Sequence, residues 1–400
     1  MASSSSSLPS SILRQEAEVE EVGENLSDSD TDEEENISLA ELQKRLRVQQ
    51  IGKRKWRKRD INAEFPDWKA TNNNAETTDE ASTAIDFFEL FFDAELVDKI
   101  VLETNRYSLQ KKRALNVCTE EIKCFIGILL YSGYTQVPRR RMFWENASDA
   151  HHEIVINGMK RDRFEAILSH FYLANNYELD AEDKYAKIRP LVTMINEKFL
   201  CYAPIEEYYS FDESMCKYFG RHGLKQFIRG KPIRFGFKIW CGATRLGYVV
   251  NVDPYQGKNG YKEKDDLNLG LGGQLVYKFA KILKSQNPNP FHLFCDNFFT
   301  SIKLISELQK IGIRATGTIK ENRSEHCPLL TKQNMKKESR GFYDYRVDES
   351  QELIVCKWND NNVVSLCSNS VGINPVHSTT RFSRAERKRI QIAQPHHQTL

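Results

Sequence analysis

Two aspartates carry the chemistry this sequence supports best. Asp212 lies in Ser-Phe-Asp-Glu-Ser-Met, and Asp296, 84 positions later, lies in Phe-Cys-Asp-Asn-Phe-Phe-Thr-Ser. Carboxylates that converge repel each other, and each ionises most readily when a divalent cation lies between them. Mg²⁺ or Mn²⁺ takes hard oxygen ligands. Two such ions about 4 Å apart clamp the attacking and leaving oxygens of an in-line phosphoryl transfer. A third acid is needed to hold the second ion. Taken singly, an aspartate at a strand end is more often a helix cap or a loop residue, so the chemical reading rests on bringing the two together.

The residues around Asp212 point to a polyanionic partner. From Ser214 to Val252 there is no acid but eight bases: Lys217, Arg221, Lys225, Arg229, Lys231, Arg234, Lys238 and Arg245. Tyr218, Phe219, Phe227, Phe235, Phe237 and Trp240 are interleaved with them. A phosphate backbone requires such a cationic stretch beside the acids; solvated strand faces over an aromatic core would give a similar pattern. Arg139, Arg140 and Arg141 are further candidate phosphate contacts, which a surface turn explains equally well. Glu213, next to Asp212, is expected on the opposite strand face and is read as structural. His151 and His152 face apart on a helix and make poor metal ligands. Thr300 or Ser301 reads as a helix cap rather than a nucleophile.

The elements that position the aspartates follow from periodicity. Phe88, Phe91, Phe92, Ile100 and Val101 share a helical face, and Thr119-Glu-Glu opens a helix over Ile122 to Leu130. Phe164, Ile167, Leu168 and Phe171 mark a third helix and Leu191 to Phe199 a fourth, so residues 85 to about 205 read as all-helical. Strands are expected over Tyr208 to Phe219, Arg234 to Gly242 and Tyr248 to Val252, then a helix over Leu271 to Leu283. A strand over Phe291 to Cys295, a helix bearing Ile302, Ile305 and Leu308, and a strand over Ile313 to Ile319 complete the series. This order is ribonuclease-H-like, in which the first and fourth strands are neighbours and Asp212 and Asp296 converge. Three further β-like runs, Phe342 to Val347, Leu353 to Trp358 and Val363 to Cys367, are expected to form a small separate sheet.

Charge is segregated along the 400 residues, although 57 Lys+Arg nearly balance 55 Asp+Glu. Glu16 to Glu35 holds eleven acids and no base, and Lys44 to Arg59 holds nine bases and no acid. Such blocks bury too little apolar surface to offset their ordering entropy, so residues 1–80 read as a disordered tail. Lys53 to Arg59 has the character of a nuclear import signal or a phosphate-binding arm, or of a solvated charge run. The serine-rich acids from Ser27 to Glu35 invite phosphorylation. No stretch is apolar enough for a membrane span and no signal peptide opens the chain, which points to a soluble intracellular protein. Nine scattered cysteines, none in C-x-x-C, indicate mostly buried thiols rather than disulfides or zinc.

These residues resemble the piggyBac transposable element-derived proteins and the piggyBac group of DNA transposases. The likeness covers residues 85–400 through Phe-Phe-Glu-Leu-Phe-Phe (87–92) with Glu-Thr-Asn-Arg-Tyr (103–107), Arg-Arg-Arg-Met-Phe-Trp (139–144), Asp-Glu-Ser-Met through Ile-Trp (212–240), Cys-Asp-Asn-Phe-Phe-Thr-Ser (295–301) and Ala-Thr-Gly-Thr-Ile (315–319). The resemblance implies a mixed α/β protein. Its parts are a helical dimerisation and DNA-binding domain whose first half is 81–205, an RNase-H-like core at 206–325, a small β insertion at 326–375 and a basic tail at 376–400 leading toward the end of the core. It implies that Asp212 and Asp296 are the first two of three catalytic, Mg²⁺-holding aspartates acting on double-stranded, transposon-end-like DNA in the nucleus. The third sits in a Gly-Gly-Val-Asp segment that this sequence lacks, and Asp344, Asp348 and Asp360 are poor substitutes. The expectation is a DNA-binding protein, able to form a homodimer, that holds its metal weakly and cleaves poorly. The alternatives are a domesticated chromatin scaffold whose tail recruits partners, and a truncated gene product with an unstable core.

Overall fold

The computed structural model describes residues 54–69, 83–147, 151–257, 267–384 and 386–396. The acidic block and most of the expected tail lie outside the described residues. Among the described residues no helix is long and apolar enough to cross a membrane.

Capping chemistry sets the helical half. Thr83 and Asp86 exchange side-chain bonds with each other's backbone N–H to start α1 (Ala84–Phe91). The carboxylate of Asp93 accepts from the N–H of Leu96 at 3.0 Å and starts α2 (Ala94–Gln110), so the single face expected from Phe88 to Val101 is divided by an N-cap. In α3 (Thr119–Tyr134) the capping position belongs to Cys118 rather than Thr119, and Glu121 reaches back to the Cys118 N–H at 3.2 Å. After α4 (Glu153–Gly158) and α5 (Arg161–His170), Val97 and Ile100 of α2, Phe125 of α3 and Phe164 and Ile167 of α5 meet in one core, each at most 1% exposed. Helix α6 (Arg189–Cys201) joins this half to the sheet.

A two-residue strand, β1 (Trp56–Arg57), precedes the helices. After them, β2 (Tyr208–Lys217), the short β3 (Gln226–Phe227), β4 (Phe235–Thr244) and β5 (Val249–Pro254) pair antiparallel around β4. Asn196 of α6 donates to the carbonyl of Val252 and accepts from its N–H, both at 2.9 Å, pinning the helix to β5. Helix α7 (Gly270–Gln286) leads to β6 (His292–Cys295), parallel to β2, and α8 (Ile302–Lys310) leads to β7 (Arg314–Thr318), parallel to β6. The order β5-β4-β2-β6-β7 is the expected meander continued by parallel strands through helical crossovers. Ser301 caps α8, and Ile302, Leu304, Ile305 and Leu308 on its inner face are 0% exposed. Each such burial contributes about 1.5–3 kcal/mol. The Phe279 ring of α7 lies directly over Gly242 of β4, where a Cβ would come within 2.2 Å of it, so glycine is required for the helix to approach.

The expected separate sheet is a continuation of the same one. After the single-turn α9 (Lys332–Met335) come β8 (Tyr343–Asp348), β9 (Leu353–Asn359) and β10 (Val363–Ser368), and β10 pairs antiparallel with β7 from Leu366↔Thr318 to Ser368↔Thr316. Strand β7 would otherwise be an edge with unpaired donors and acceptors. Side chains continue the link: the Ser368 and Thr316 hydroxyls are 2.8 Å apart, and His292 Nε2 is 2.9 Å from the latter.

The beginning of the described chain also departs from expectation. Residues 54–69 are ordered against the sheet, with β1 antiparallel to β8 (Trp56↔Asp348). Opposite charge explains this. Arg54 bonds Glu325 at 2.6 Å and Asp348 at 2.7 Å, Arg57 pairs with Glu349 at 3.1 Å, and Arg59 pairs with Glu352. Asp60 accepts from the N–H groups of Ile373 and Asn374, and Trp68 packs on Phe291 with ring centroids 5.7 Å apart. The basic residues from 376 onward form a hairpin of β11 (His377–Ser383) and β12 (Lys388–Gln394). It is docked where Trp358 Nε1 donates to the carbonyl of Ala393 at 2.9 Å and Arg381 pairs with Asp360 at 3.1 Å. All nine cysteines are free, and only Cys356 and Cys367 are fully buried, fewer than expected.

Candidate functional site

The parallel pairing of β2 with β6 ends where Phe211 lies opposite Cys295, so Asp212 and Asp296 each come one residue past the last paired position; β6 stops there, while β2 runs on to Lys217 against β4. Both are exposed there. Asp296 opens a tight turn: its Oδ1 accepts from the N–H of Phe298 at 2.8 Å, and its carbonyl accepts from the buried Thr300 hydroxyl at 2.8 Å. Thr300 thus anchors the Asp296 turn, while Ser301 caps α8 by accepting from the N–H of Leu304 at 3.1 Å.

Glu213 is corrected from a bystander to a member of the site. Asp212 Oδ1 turns back to accept from the Glu213 N–H at 2.8 Å, and the two carboxyls come into hydrogen-bond contact rather than facing apart. Lys231 reaches over from the β3–β4 connection to bond Glu213 at 3.1 Å. Although the residue is exposed, the surrounding chain partly desolvates the Asp212 carboxyl, and this, together with the Glu213 carboxyl, pushes it up to about 6. For Glu213, burial is outweighed by the bond to Asp212 and by Lys238 and Lys231, and its carboxyl is held below the ordinary range. One proton therefore stays on the Asp212–Glu213 pair well above the usual carboxylate range. This raised value means that whatever stability the proton confers is complete below pH 4 and fades as pH rises through about 6. Cation binding has the opposite sign because it requires the ionised form. Mn²⁺ affinity measured by calorimetry is expected to rise about tenfold per pH unit up to that value and then level off. Asp212→Asn should flatten the profile, and an unchanged slope in that variant would refute the assignment.

The other cations divide into two groups. Lys238 is only 8% exposed, with its ammonium 4.1 Å from the Trp240 ring centroid and 4.8 Å from that of Phe298. Burial lowers its pKa despite the nearby acids. The alternation of β4 places Lys238 on the same buried face as Trp240 and Gly242, a pattern the sequence already contains. Arg221, Arg229 and Arg234 are exposed and pair with no acid among the described residues, while Lys225 donates to the carbonyl of Gly220 at 3.2 Å. In the helical half, Arg140 bonds both oxygens of Glu165, at 3.0 and 2.9 Å, with Arg141 3.7 Å from it and Arg139 exposed alongside. His152 Nδ1 is 3.2 Å from the Tyr131 hydroxyl.

Glu213 is engaged by Lys231 and by Asp212, and no further acid among the described residues joins the cluster to complete a set of metal donors. Among the described residues no three His, Cys, Asp or Glu side chains gather as metal donors. Asp344 and Asp348 are buried beneath Arg346 and Arg54, and Asp360 is held by Arg340 and Arg381. The hard oxygens of Asp212 and Asp296 suit one Mg²⁺ that keeps most of its waters.

Comparison with known proteins decides the family. A sequence profile described as "Transposase IS4" matches residues 83–400. Human PiggyBac transposable element-derived protein 2 is 46% identical over 389 residues, covering 97% of this chain and 64% of that protein. The chain belongs to the piggyBac transposase family. Human PiggyBac transposable element-derived protein 3 is 44% identical over 341 residues, 85% of this chain and 57% of its own length. This piggyBac-family chain thus spans less than two thirds of either human relative. Its fold is that of the piggyBac transposase solved by cryo-electron microscopy as a synaptic complex with hairpin DNA. The TM-score is 0.59 at 22% identity, over 76% of this chain and 63% of the other. The mixed α/β architecture is RNase-H-like.

Proposed function

We propose that this protein binds double-stranded DNA in the nucleus through the sheet end carrying Asp212 and Asp296, as a transposase-derived protein whose own cleavage activity is weak. The observation that carries the reading is the β2–β6 register, which sets two exposed carboxylates at neighbouring positions where β6 ends, in a chain whose Arg221, Arg229 and Arg234 are exposed and pair with no acid among the described residues. Asp212 and Asp296 would hold a divalent cation, which when bound supplies neutralisation of charge on a phosphodiester. Arg221, Arg229 and Arg234 bind the phosphate backbone, with Lys225 adding to the local positive field. Lys231 holds Glu213 ionised, and the Asp212–Glu213 pair holds a proton that must leave before the site is fully anionic. With Glu213 bound to Lys231 and no set of three metal donors among the described residues, a stable two-ion arrangement lacks a ligand.

Nicking of supercoiled DNA by the 400-residue chain in Mg²⁺ or Mn²⁺ tests this. Retained DNA binding with nicking at least about a hundredfold below that of an intact two-metal nuclease is expected. Robust nicking that disappears in Asp212→Ala would overturn the impairment and leave the site assignment standing. The alternative is a chromatin scaffold whose acidic and basic tail recruits partners; of that tail's basic run, Arg54, Arg57 and Arg59 are engaged by acids of the same chain, and the residues before Arg54 lie outside the described residues.

A further inference from the structure

The β3–β4 hairpin, opposite the far end of β2 from Asp212, exposes aromatic rings that the core does not use. Phe227 and Phe235 face each other across the paired strands, 56% and 49% exposed, with ring centroids 4.7 Å apart. Phe219, 80% exposed, lies under the Lys217 ammonium at 4.9 Å, and Lys225 sits 5.2 Å from the Phe235 ring. The seven residues that join Phe227 to Phe235 contain Lys231, whose bond to Glu213 ties this hairpin to the carboxylate cluster. Arg229 and Arg234, which pair with no acid among the described residues, flank the rings within two positions.

We infer that Phe227 and Phe235, with Phe219 as an outlying member, form a stacking platform for unpaired DNA bases on the hairpin that Lys231 ties to the carboxylate cluster. The argument is one of complementarity. Aromatic faces interleaved with cations match a single strand, whose bases stack on rings while its phosphates meet the cations, and such stacking tolerates any base. Intact duplex hides its base faces in its own stack, so a ring reaches a base only where the duplex is opened, ends in an overhang or has a base turned out. An apolar protein partner would cover the rings but would leave Arg229 and Arg234 facing a surface of no matching charge. The inference rests on the DNA-binding reading and specifies which part of the DNA this face takes.

The test compares the affinity of the full chain for a blunt duplex and for the same duplex with a single-stranded extension carrying 2-aminopurine, by fluorescence anisotropy at one salt concentration. The extension is expected to tighten binding roughly tenfold or more and to quench the 2-aminopurine. In Phe227→Ala/Phe235→Ala the ratio of the two affinities should collapse to about one and the quench should vanish, while Phe227→Tyr/Phe235→Tyr keeps both. Phe219→Ala, at the most exposed ring, gives a partial loss in a variant with the least risk to folding. Equal affinities in the unmodified chain, or a gain that survives the double alanine variant, would overturn the inference and leave duplex binding intact as a separate result. Failure to bind the blunt duplex sinks the DNA-binding reading instead, and ring-dependent capture of the single strand alone would still support the platform. A concentration-dependent dimer in sedimentation that the double variant abolishes would assign the rings to a second copy of the chain and also overturn it.

Discussion

Arg54→Ala is expected to destabilise the folded protein by about 3 kcal/mol. The guanidinium is the principal counter-charge of Asp348, whose side chain is 0% exposed, and the same group bonds Glu325 and Gln351. Removing one partner of a buried pair leaves the other charge without compensation, which costs far more than the pair itself contributes. The estimate sits at the lower end because the Ser350 hydroxyl continues to donate to Asp348 at 2.8 Å. Urea unfolding followed by tryptophan fluorescence is well placed to read this, since Trp56 lies two residues away in β1. The double variant Arg54→Ala/Asp348→Asn should recover most of the loss, because the orphaned charge is then absent. A loss below about 1 kcal/mol in the single variant would mean that the pair behaves as a surface ion pair and the strap adds little.

The second large effect concerns DNA. Replacing Arg221, Arg229 and Arg234 together by alanine is expected to lower affinity for a duplex about a hundredfold at low salt, and to reduce the slope of log affinity against log salt by about three. These three cations pair with no acid among the described residues, so their removal is expected to leave the fold untouched and to act on counterion release. Lys238→Met should instead change stability more than the salt slope, because that ammonium is enclosed by Trp240 and Phe298. If the triple variant kept the parental slope, the interface would have to lie elsewhere, with the Arg139 to Arg141 turn next to be replaced.

What was legible in the sequence divides along physical lines. The strand and helix order was readable because apolar period changes sharply after Pro204, and that order sufficed to bring Asp212 and Asp296 together. Glu213 was not readable, since strict strand alternation sends neighbours to opposite faces and only the turn of the Asp212 carboxylate onto its own chain defeats that rule. The ordered strap at Arg54 to Arg59 was hidden because its binding partners, from Glu325 to Glu352, lie far along the chain and a basic run looks solvated when read locally. Lys238 shows the reverse failure. Counted by type it is one more base, yet the alternation of its own strand already placed it inside. The continuity of β10 with β7 depends on backbone pairing, to which side-chain patterns contribute little.

The closure of β8 by β1 also has a meaning in time. The bond from Arg54 to Asp348 spans 294 positions, so during synthesis at the usual ~5–20 residues per second the strap leaves the ribosome roughly 15–60 s before the strand that receives it. In that interval its arginines are open to any polyanion nearby, the ribosome's own RNA included, and β8 gains β1 as a neighbour only once its own residues have emerged. A nascent chain halted before Asp348 would therefore leave Arg54 without the buried carboxylate that it meets in the folded protein.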